Sequence, residues 1–457
     1  MRVLVCGAGR VGKGIAQRLS QDSHDVVIVD ADPGLVDKVS TDLDVRGITG
    51  HAAHPDVLRA AGAADCEMII AVTHFDEINM VICQIADTLF SVPTKIARIR
   101  SQSYLDGSSK DLFSRDGLPI DVMISPEVAV AEAILQRLAT PGAVMTSNFA
   151  KGKVKILGLD IDADSPLVET ALDQISGLFP DLDARVVGIG RGDKVLAPRS
   201  NDRLAANDRA FIAVRDTHAS RLIGIFNRDD REIRQVVIVG GGNIGLHVAR
   251  ELEKSRAMRV RLIERDEKTA SKAVEDLKRA IVIQGDGLDR DVLEEAGASS
   301  ADFVISTTDD DKANILISKL AKRAGARRTL SLINESDLAA LGRDMGIDAV
   351  LDPRALTVSQ ILLRMRRGRI LSLQSIEDGD AEVAEGLVLD ASLLKGKTLD
   401  YDDLPEGITA AAIIRDEQIF FPGPGVRAQT DDRVILFYTR DMTRKVEQFF
   451  RLSPDFF

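Results

Sequence analysis

The sequence predicts two doubly wound parallel α/β sheets in tandem, each followed by a small α+β lobe. Three observations carry that reading. The chain repeats itself, short apolar runs alternate with helix-period stretches, and each repeat opens with a glycine-rich turn between a strand and a helix. Its 457 residues leave room for roughly two to four domains. Apolar residues make up 45% of the chain, enough for ordinary cores.

The repeat can be read directly. Val3-Leu-Val-Cys-Gly-Ala-Gly-Arg-Val-Gly12 returns as Val236-Val-Ile-Val-Gly-Gly-Gly-Asn-Ile-Gly245, and Val26–Asp30 returns as Val260–Glu264. Ile69–Thr73, followed by Asp76 and Asn79, returns as Val304–Thr308, followed by Asp311 and Asn314. Asp121–Pro126 matches Asp348–Pro353. The remainder of each half repeats too: Arg191, Val195–Pro198 and Asn207-Asp208 line up with Arg415, Ile419–Pro422 and Asp431-Asp432. The expected boundaries are a large lobe at 1–140, a small lobe at 141–225, a second large lobe at 233–368 and a second small lobe at 369–450. The charged stretch Arg228–Glu232 joins the halves.

In the first large lobe, strands are expected at 2–6, 26–30, 45–49, 68–72, 95–100 and 121–124. Helices are expected near 10–21, 33–43, 55–62, 76–90, 103–115 and 126–139. Runs such as Val26-Val-Ile-Val29 are apolar on both faces, as a parallel strand covered by helices on each side requires. The small lobes read differently. Apolar and β-branched pieces around 154–161, 185–189 and 210–214, broken by Gly, Pro and Asp, suggest a small sheet.

A lone Gly-x-Gly-x-x-Gly says little, but here it follows a strand, opens a helix and is answered by an acid at the end of the next strand. That is the dinucleotide-binding, Rossmann-like pattern, and it occurs twice. Gly7 and Gly240 make the tight turn. Gly9 and Gly242 let the backbone approach a pyrophosphate, and Gly12 and Gly245 let helix pack on strand. Ala8, Arg10 and Val11, and Gly241, Asn243 and Ile244, complete the two loops, whose helix N-termini offer N–H groups to a diphosphate. Asp30 and Glu264 are placed to accept hydrogen bonds from ribose hydroxyls and to repel a 2′-phosphate, which favours NAD over NADP; Arg265 loosens that inference for the second copy. ATP and ADP share the ribose and the diphosphate, so they stay open as ligands.

Other residues fall near the same place. Arg98 lies inside a strand that should be apolar, and a buried guanidinium needs an anion. A bound phosphate would supply one, as would a neighbouring acid. Ser331 stands at the aligned position, so the two sites should differ in affinity. Thr73 with His74, and Thr307 with Thr308, end the fourth strands, where a hydroxyl could reach the ligand or simply cap the loop. Asp286 is placed to meet the adenosine end, and His51 occupies that position in the first copy.

Composition excludes other classes. A formal charge of −12 with no Lys/Arg-rich run argues against nucleic acid; the densest basic stretch, Arg364–Arg369, reads as a helix face. No apolar stretch approaches the roughly 18 residues of a membrane span. The opening strand leaves no room for a signal peptide. Cys6, Cys66 and Cys83 form no CxxC pair and read as reduced thiols of a cytosolic protein. His51 and His54 have an i,i+3 spacing, but nothing completes a metal set, and no metal site is expected.

An NAD-dependent oxidoreductase, the alternative reading, needs a proton donor or acceptor beside the hydride centre. His74 is the only histidine near that place, its counterpart is Asp309, and neither half has a catalytic domain of its own. A sensor without catalytic activity is the better expectation.

Taken together, the tandem glycine loops, the Asp30/Glu264 pair, the Thr73…Asp76…Asn79 and Thr308…Asp311…Asn314 segments and the Arg…Pro…Asp pattern of the small lobes resemble the TrkA family across essentially the whole chain. These are NAD-binding peripheral subunits of bacterial Trk potassium uptake systems. The resemblance implies two RCK domains, each a nucleotide-binding lobe plus a C-terminal lobe. It implies a cytoplasmic ring, commonly a homotetramer, beneath a membrane-embedded potassium-translocating subunit. It further implies responses to NAD(H) and adenine nucleotides through the two glycine loops, Asp30, Thr73, Arg98 and Glu264. His51 and Ser331 depart from the ligand-binding pattern.

Overall fold

The structure is a computed structural model that describes residues 1–450 apart from 106–111, 114–116, 141, 164, 166, 173, 175–181, 193, 227–232, 366–369, 377–378 and 424. The linker at 228–232 and much of the helix expected at 103–115 lie outside the described residues. Of the basic stretch 364–369, only the helical backbone of residues 364 and 365 is described. Two compact units emerge: Met1–Val130 with Pro353–Ile361, and Ala131–Asp352 with Leu362–Phe457.

The first unit alternates strand and helix: β1 (Arg2–Cys6), α1 (Arg10–Gln21), β2 (Asp25–Asp30), α2 (Pro33–Asp42), β3 (Arg46–Thr49), α3 (Pro55–Ala60), β4 (Met68–Ala71), α4 (Asp76–Phe90), β5 (Thr94–Arg98), a short α5 (Gln102–Leu105), β6 (Val122–Ile124) and the start of α6 (Pro126–Ala139). The strands are parallel in the order β3-β2-β1-β4-β5-β6, so the winding reverses between β1 and β4. Leu4, Cys6, Val27, Val29, Ile69 and Ala71 pack on Ile82, Cys83 and Ala86 of α4. All three cysteines are buried in that core. Burial pushes the Cys66 thiol up to about 11 and the Cys83 thiol to about 12, so both stay protonated and act as apolar filler.

The second unit opens with β7 (Met145–Phe149), β8 (Val154–Asp160), β9 (Ala184–Arg191), β10 (Lys194–Leu196) and β11 (Arg209–Arg215), antiparallel in the order β10-β9-β11-β8-β7, then α7 (Ala219–Phe226). A second parallel sheet follows, from β12 (Gln235–Val239), α8 (Asn243–Glu253), β13 (Arg259–Glu264), α9 (Glu267–Asp276), β14 (Ile281–Gln284), α10 (Arg290–Glu295), β15 (Phe303–Ser306), α11 (Asp311–Ala324), β16 (Arg328–Leu332), α12 (Ser336–Asp344) and β17 (Ala349–Leu351); of the next helix, α13 (Pro353–Met365), the stretch Pro353–Ile361 belongs to the first unit. Its order, β14-β13-β12-β15-β16-β17, is that of the first. A second antiparallel sheet closes the chain: β18 (Ile370–Ile376), β19 (Ala381–Leu387), β20 (Ile408–Arg415), β21 (Gln418–Phe420) and β22 (Arg433–Thr439), then α14 (Thr443–Phe449).

The two antiparallel sheets share one core. Ile156, Val187 and Phe211 meet Val383, Ala412 and Phe437, and the Phe211 and Phe437 rings stack 5.8 Å apart. A side chain on Gly188 would begin 2.3 Å from the Phe437 ring, so this glycine makes the hollow that the ring fills. Arg185 crosses between the lobes, donating to Pro422 O at 2.8 Å and Asp400 Oδ1 at 2.9 Å with its guanidinium over the Tyr401 ring. Each small lobe carries the same internal staple. Arg191 grips Asp208 through two hydrogen bonds of 2.9 and 2.7 Å, as Arg415 grips Asp432 at 2.8 and 2.8 Å. The paired Arg and Asp of the small-lobe repeat are therefore structural.

Candidate nucleotide cradles

Both glycine turns sit at the carboxyl ends of their strands at the point of reversal, beside β1/β4 and beside β12/β15, where open α/β sheets hold their ligands. Gly7 has φ +113° and donates to Val29 O at 2.7 Å; Gly240 has φ +109° and donates to Ile263 O at 2.9 Å. A Cβ on Gly12 would lie 1.7 Å from Gly7 O, and one on Gly245 would lie 1.9 Å from Gly240 O. The helix presses on the turn in both halves.

Gly9 and Gly242 are different. Each has φ −65°, which any residue adopts, and a Cβ there would meet nothing within 4 Å. Each is the N-cap of its helix with no side-chain cap, at a position where Ser, Asp or Asn would add a few tenths of a kcal/mol. Neither conformation nor packing asks for glycine. What it leaves is an open, uncapped helix N-terminus. Arg10 and Asn243 are exposed at the first helical position, and Val11 and Ile244 are half-buried.

The acids brace the loops. Asp30 Oδ2 accepts from Ala8 N at 2.6 Å and Oδ1 from Asp32 N at 2.9 Å. Glu264 Oε2 accepts from Gly241 N at 2.6 Å and Oε1 from Asp266 N at 2.7 Å. Each carboxylate oxygen keeps a second lone pair on a half-exposed side chain. The longer glutamate takes the space of a methyl group: a Cβ on Gly241 would stand 3.1 Å from Glu264 Cβ and Oε2, whereas Ala8 fits beside the shorter Asp30.

Thr73 and Thr308 end the loops after β4 and β15, but their hydroxyls already donate to Asn79 Oδ1 at 2.7 Å and Asn314 Oδ1 at 2.6 Å. Each asparagine is fully buried and reaches on to the next strand, through Nδ2 to Arg98 O and to Leu332 O, at 2.9 Å in both halves. Asp76 accepts from Arg100 N and Ser101 N, and Asp311 from Asn334 N and Glu335 N. These Asn and Asp residues hold the strand-end loops in place. Sequence reasoning registered them only as repeated letters, although their fixed spacing from the threonine was the available signal. Thr307 is buried and donates to Gly240 O at 3.1 Å.

Arg98 meets one of the two partners open to it, and the alignment of Ser331 changes. Arg98, only 12% exposed, donates to Glu127 Oε1 at 3.2 Å, and Arg100 Nε lies 3.6 Å from the same oxygen. A carboxylate of the chain itself is thus the anion beside Arg98, whose pKa burial lowers. Nor is Ser331 the partner of Arg98 in the repeat. Ala71 pairs with Ala97 as Ser306 pairs with Ser331, so Ser331 matches Ala97 and Leu332 matches Arg98. A one-residue shift in a strand moves a side chain to the other face. Ser331 belongs to a buried hydroxyl trio with Ser306 and Ser318, at 3.1 and 2.7 Å.

At the rim, His74 is exposed and meets Phe75 edge-on at 5.2 Å. Asp286 Oδ1 accepts from Leu288 N at 2.9 Å and closes the turn after β14. His51 holds the equivalent place: His54 N donates to His51 O as Asp289 N donates to Asp286 O, both at 2.9 Å, and the His51 and His54 rings stack 5.0 Å apart. Among the described residues no group of three or more His, Cys, Asp or Glu gathers to hold a metal, and no helix is long and apolar enough to cross a membrane.

The family model for the TrkA-N domain matches residues 3–126 and again 236–353, and that for the TrkA-C domain matches 156–227. Among curated relatives, the Trk system potassium uptake protein TrkA of Azorhizobium caulinodans is 45% identical over the whole of both chains. The proteins of the same name from Halomonas elongata and Vibrio alginolyticus are 35% and 34% identical, again over the full length. Among solved structures, the GsuK RCK domain matches with a TM-score of 0.62 at 19% identity, over 98% of this chain and 94% of that one. A GsuK channel bound to NAD matches with a TM-score of 0.61 at 18% identity, over 98% and 78%. These likenesses identify the fold as tandem RCK-type domains.

Proposed function

The chain belongs to the TrkA family of potassium uptake proteins, and from that premise we propose that it is the nucleotide-sensing regulatory subunit of a Trk-type system. It binds NAD(H), with ATP or ADP as competing ligands, and controls a membrane-embedded potassium-translocating subunit. It does so from the cytoplasmic side of the membrane, as a homo-oligomer, a tetramer in the simplest arrangement. NAD brings an anionic diphosphate and two riboses. The helix N-termini at Gly9 and Gly242 would meet the diphosphate, and the outward lone pairs of Asp30 and Glu264 would take ribose hydroxyls.

One observation carries the reading more than any other. The chain leaves an uncapped helix end and an empty approach at Gly9 and Gly242, in both halves, with no structural need for glycine. For regulation, the ligand must bind two conformations unequally, and a difference of about 1–3 kcal/mol is ordinary for such a switch. A catalytic role finds less support: His74 is exposed against Phe75 and its counterpart is an aspartate.

The test is titration calorimetry of NADH into the wild type, Gly9→Val, Gly242→Val and the double variant. It is paired with recovery of the membrane subunit on the tagged chain from native membranes. Loss of binding in the double variant, with a cooperative melt showing that the fold is retained, supports the cradles; retained wild-type affinity sinks them. Failure to recover any potassium-translocating subunit would overturn the partner assignment.

A further inference from the structure

The two cradles are built alike, but their rims are not. Equivalent positions are fixed by equivalent hydrogen bonds: Gly50 N to Asp30 O matches Gly285 N to Glu264 O, and Thr73 N to Asn79 Oδ1 matches Thr308 N to Asn314 Oδ1. On that correspondence Arg10 becomes Asn243, His51 becomes Asp286, His54 becomes Asp289 and His74 becomes Asp309. Four positions that carry a cation or an imidazole in the first cradle carry an amide or a carboxylate in the second. At the next position the exposed Phe75 becomes Asp310, whose carboxylate accepts from Lys312 N at 2.8 Å and Ala313 N at 3.1 Å. The N-terminus of α11 is therefore filled by the chain's own anion, while that of α4 has no side-chain cap.

Positive charges on the second rim offset this only in part. Arg290 is engaged by Glu294 at 3.2 Å, Lys312 lies beyond the cap on the helix, and Arg265 stands beside Glu264 at the ribose end. A dinucleotide at such a switch point has its adenosine ribose at the second strand and its other half across the crevice, toward the fourth strand. The terminal phosphates of a nucleoside triphosphate would extend the same way, toward Asp309 and Asp310 in the second cradle and toward Arg10, His74 and Phe75 in the first.

Resting on the nucleotide reading above, we infer that the two cradles differ in ligand class. The second selects a dinucleotide, whose distal half carries no phosphate beyond the bridge, against nucleoside triphosphates. The first accepts both. Like charges at such short range disfavour the extra phosphates, and at an exposed rim the effect falls with salt.

The experiment uses the full chain with one cradle blocked at a time, Gly9→Val to isolate the second and Gly242→Val to isolate the first. Calorimetry is run with AMP, ATP and NAD⁺ without added metal, at low and high salt. AMP lacks a distal half and reports on the cradle itself. In the Gly9→Val protein, ATP should bind about tenfold or more weakly than NAD⁺, a gap that narrows at high salt. The isosteric D309N/D310N change, which keeps a capping side chain at 310, should close most of the gap. In the Gly242→Val protein, ATP and NAD⁺ should bind within about threefold of each other. If AMP binds the isolated second cradle and ATP matches NAD⁺ there, or D309N/D310N leaves the ratio unmoved, the selectivity is wrong. If AMP, ATP and NAD⁺ all fail to bind, the nucleotide reading itself has failed.

Discussion

Single residues separate what the cradle needs to fold from what it needs to bind. A methyl group at Gly12 meets the Gly7 carbonyl at 1.7 Å, whereas one at Gly9 meets nothing. Gly12→Ala should therefore destabilise the protein by about 1–3 kcal/mol or more, as overpacking does. Gly9→Val should cost about 1 kcal/mol or less, as a poorer N-cap residue, and weaken nucleotide binding at the first cradle; calorimetry and thermal denaturation distinguish the two. Asp30 allows a second test. Asp30→Asn keeps an acceptor for Ala8 N but removes the charge that would bind ribose hydroxyls, so affinity at the first cradle should fall by about 1.5–3 kcal/mol, read by titration of NADH into the Gly242→Val background. An unchanged affinity would confine Asp30 to bracing its own loop.

At the scale of elements, the sequence was legible where periodicity and glycine chemistry act locally. The strands of the first sheet and most of its helices lie within a few residues of the expected spans, because the apolar runs are long and the turns are marked by Gly, Pro and Asp. Less legible were contacts set by tertiary partners. Nothing in Lys95–Arg100 announces that Glu127, on a later helix, will meet Arg98. The alignment of β5 with β16 was one residue off because the offset of the repeat shifts across α4 and α11, which differ in length by one residue. Local hydrogen bonding also decides the acid response of the small lobes. Burial alone would lift the Asp208 carboxyl, but the Arg191 guanidinium and the Ala205 amide outweigh it and hold its pKa below the ordinary Asp value. A group held low in the folded state stabilises above its unfolded pKa, and that contribution is lost as pH falls through the folded one. Asp208→Asn should lower the melting temperature at pH 7, by about 1–3 kcal/mol in stability terms, and flatten its decline between about pH 4 and lower values. An acid limb parallel to that of wild type would show that the staple does not contribute to acid stability.

For the molecule as a whole, the shared core of the small lobes governs whether the second unit behaves as one piece. Phe437 is fully buried, and replacing it with alanine should cost about 3–5 kcal/mol. The loss should appear as a split or broadened denaturation transition, because the variant loosens the joint between the antiparallel sheets as well as either sheet alone. A single sharp transition shifted by less than about 1 kcal/mol would show that Phe437 contributes little to that joint. Nucleotide should act in the opposite sense. A ligand that binds only the folded cradles raises stability by about 2.7 kcal/mol at a hundredfold excess over its dissociation constant.

The fit of Phe437 into the hollow at Gly188 also makes the joint between the small lobes asymmetric. The matching positions on the other side of the joint are Ala213 and Ala412, so a bulky ring facing a gap on one flank is answered by two methyl groups on the other. A pair of identical subunits related by twofold symmetry would have to place the same contact on both flanks. Within a single polypeptide the two flanks carry different residues, and the joint is free to be asymmetric. Two first lobes placed together would set gap against methyl on both flanks and two second lobes would set ring against methyl, so the asymmetry favours a first lobe joined to a second.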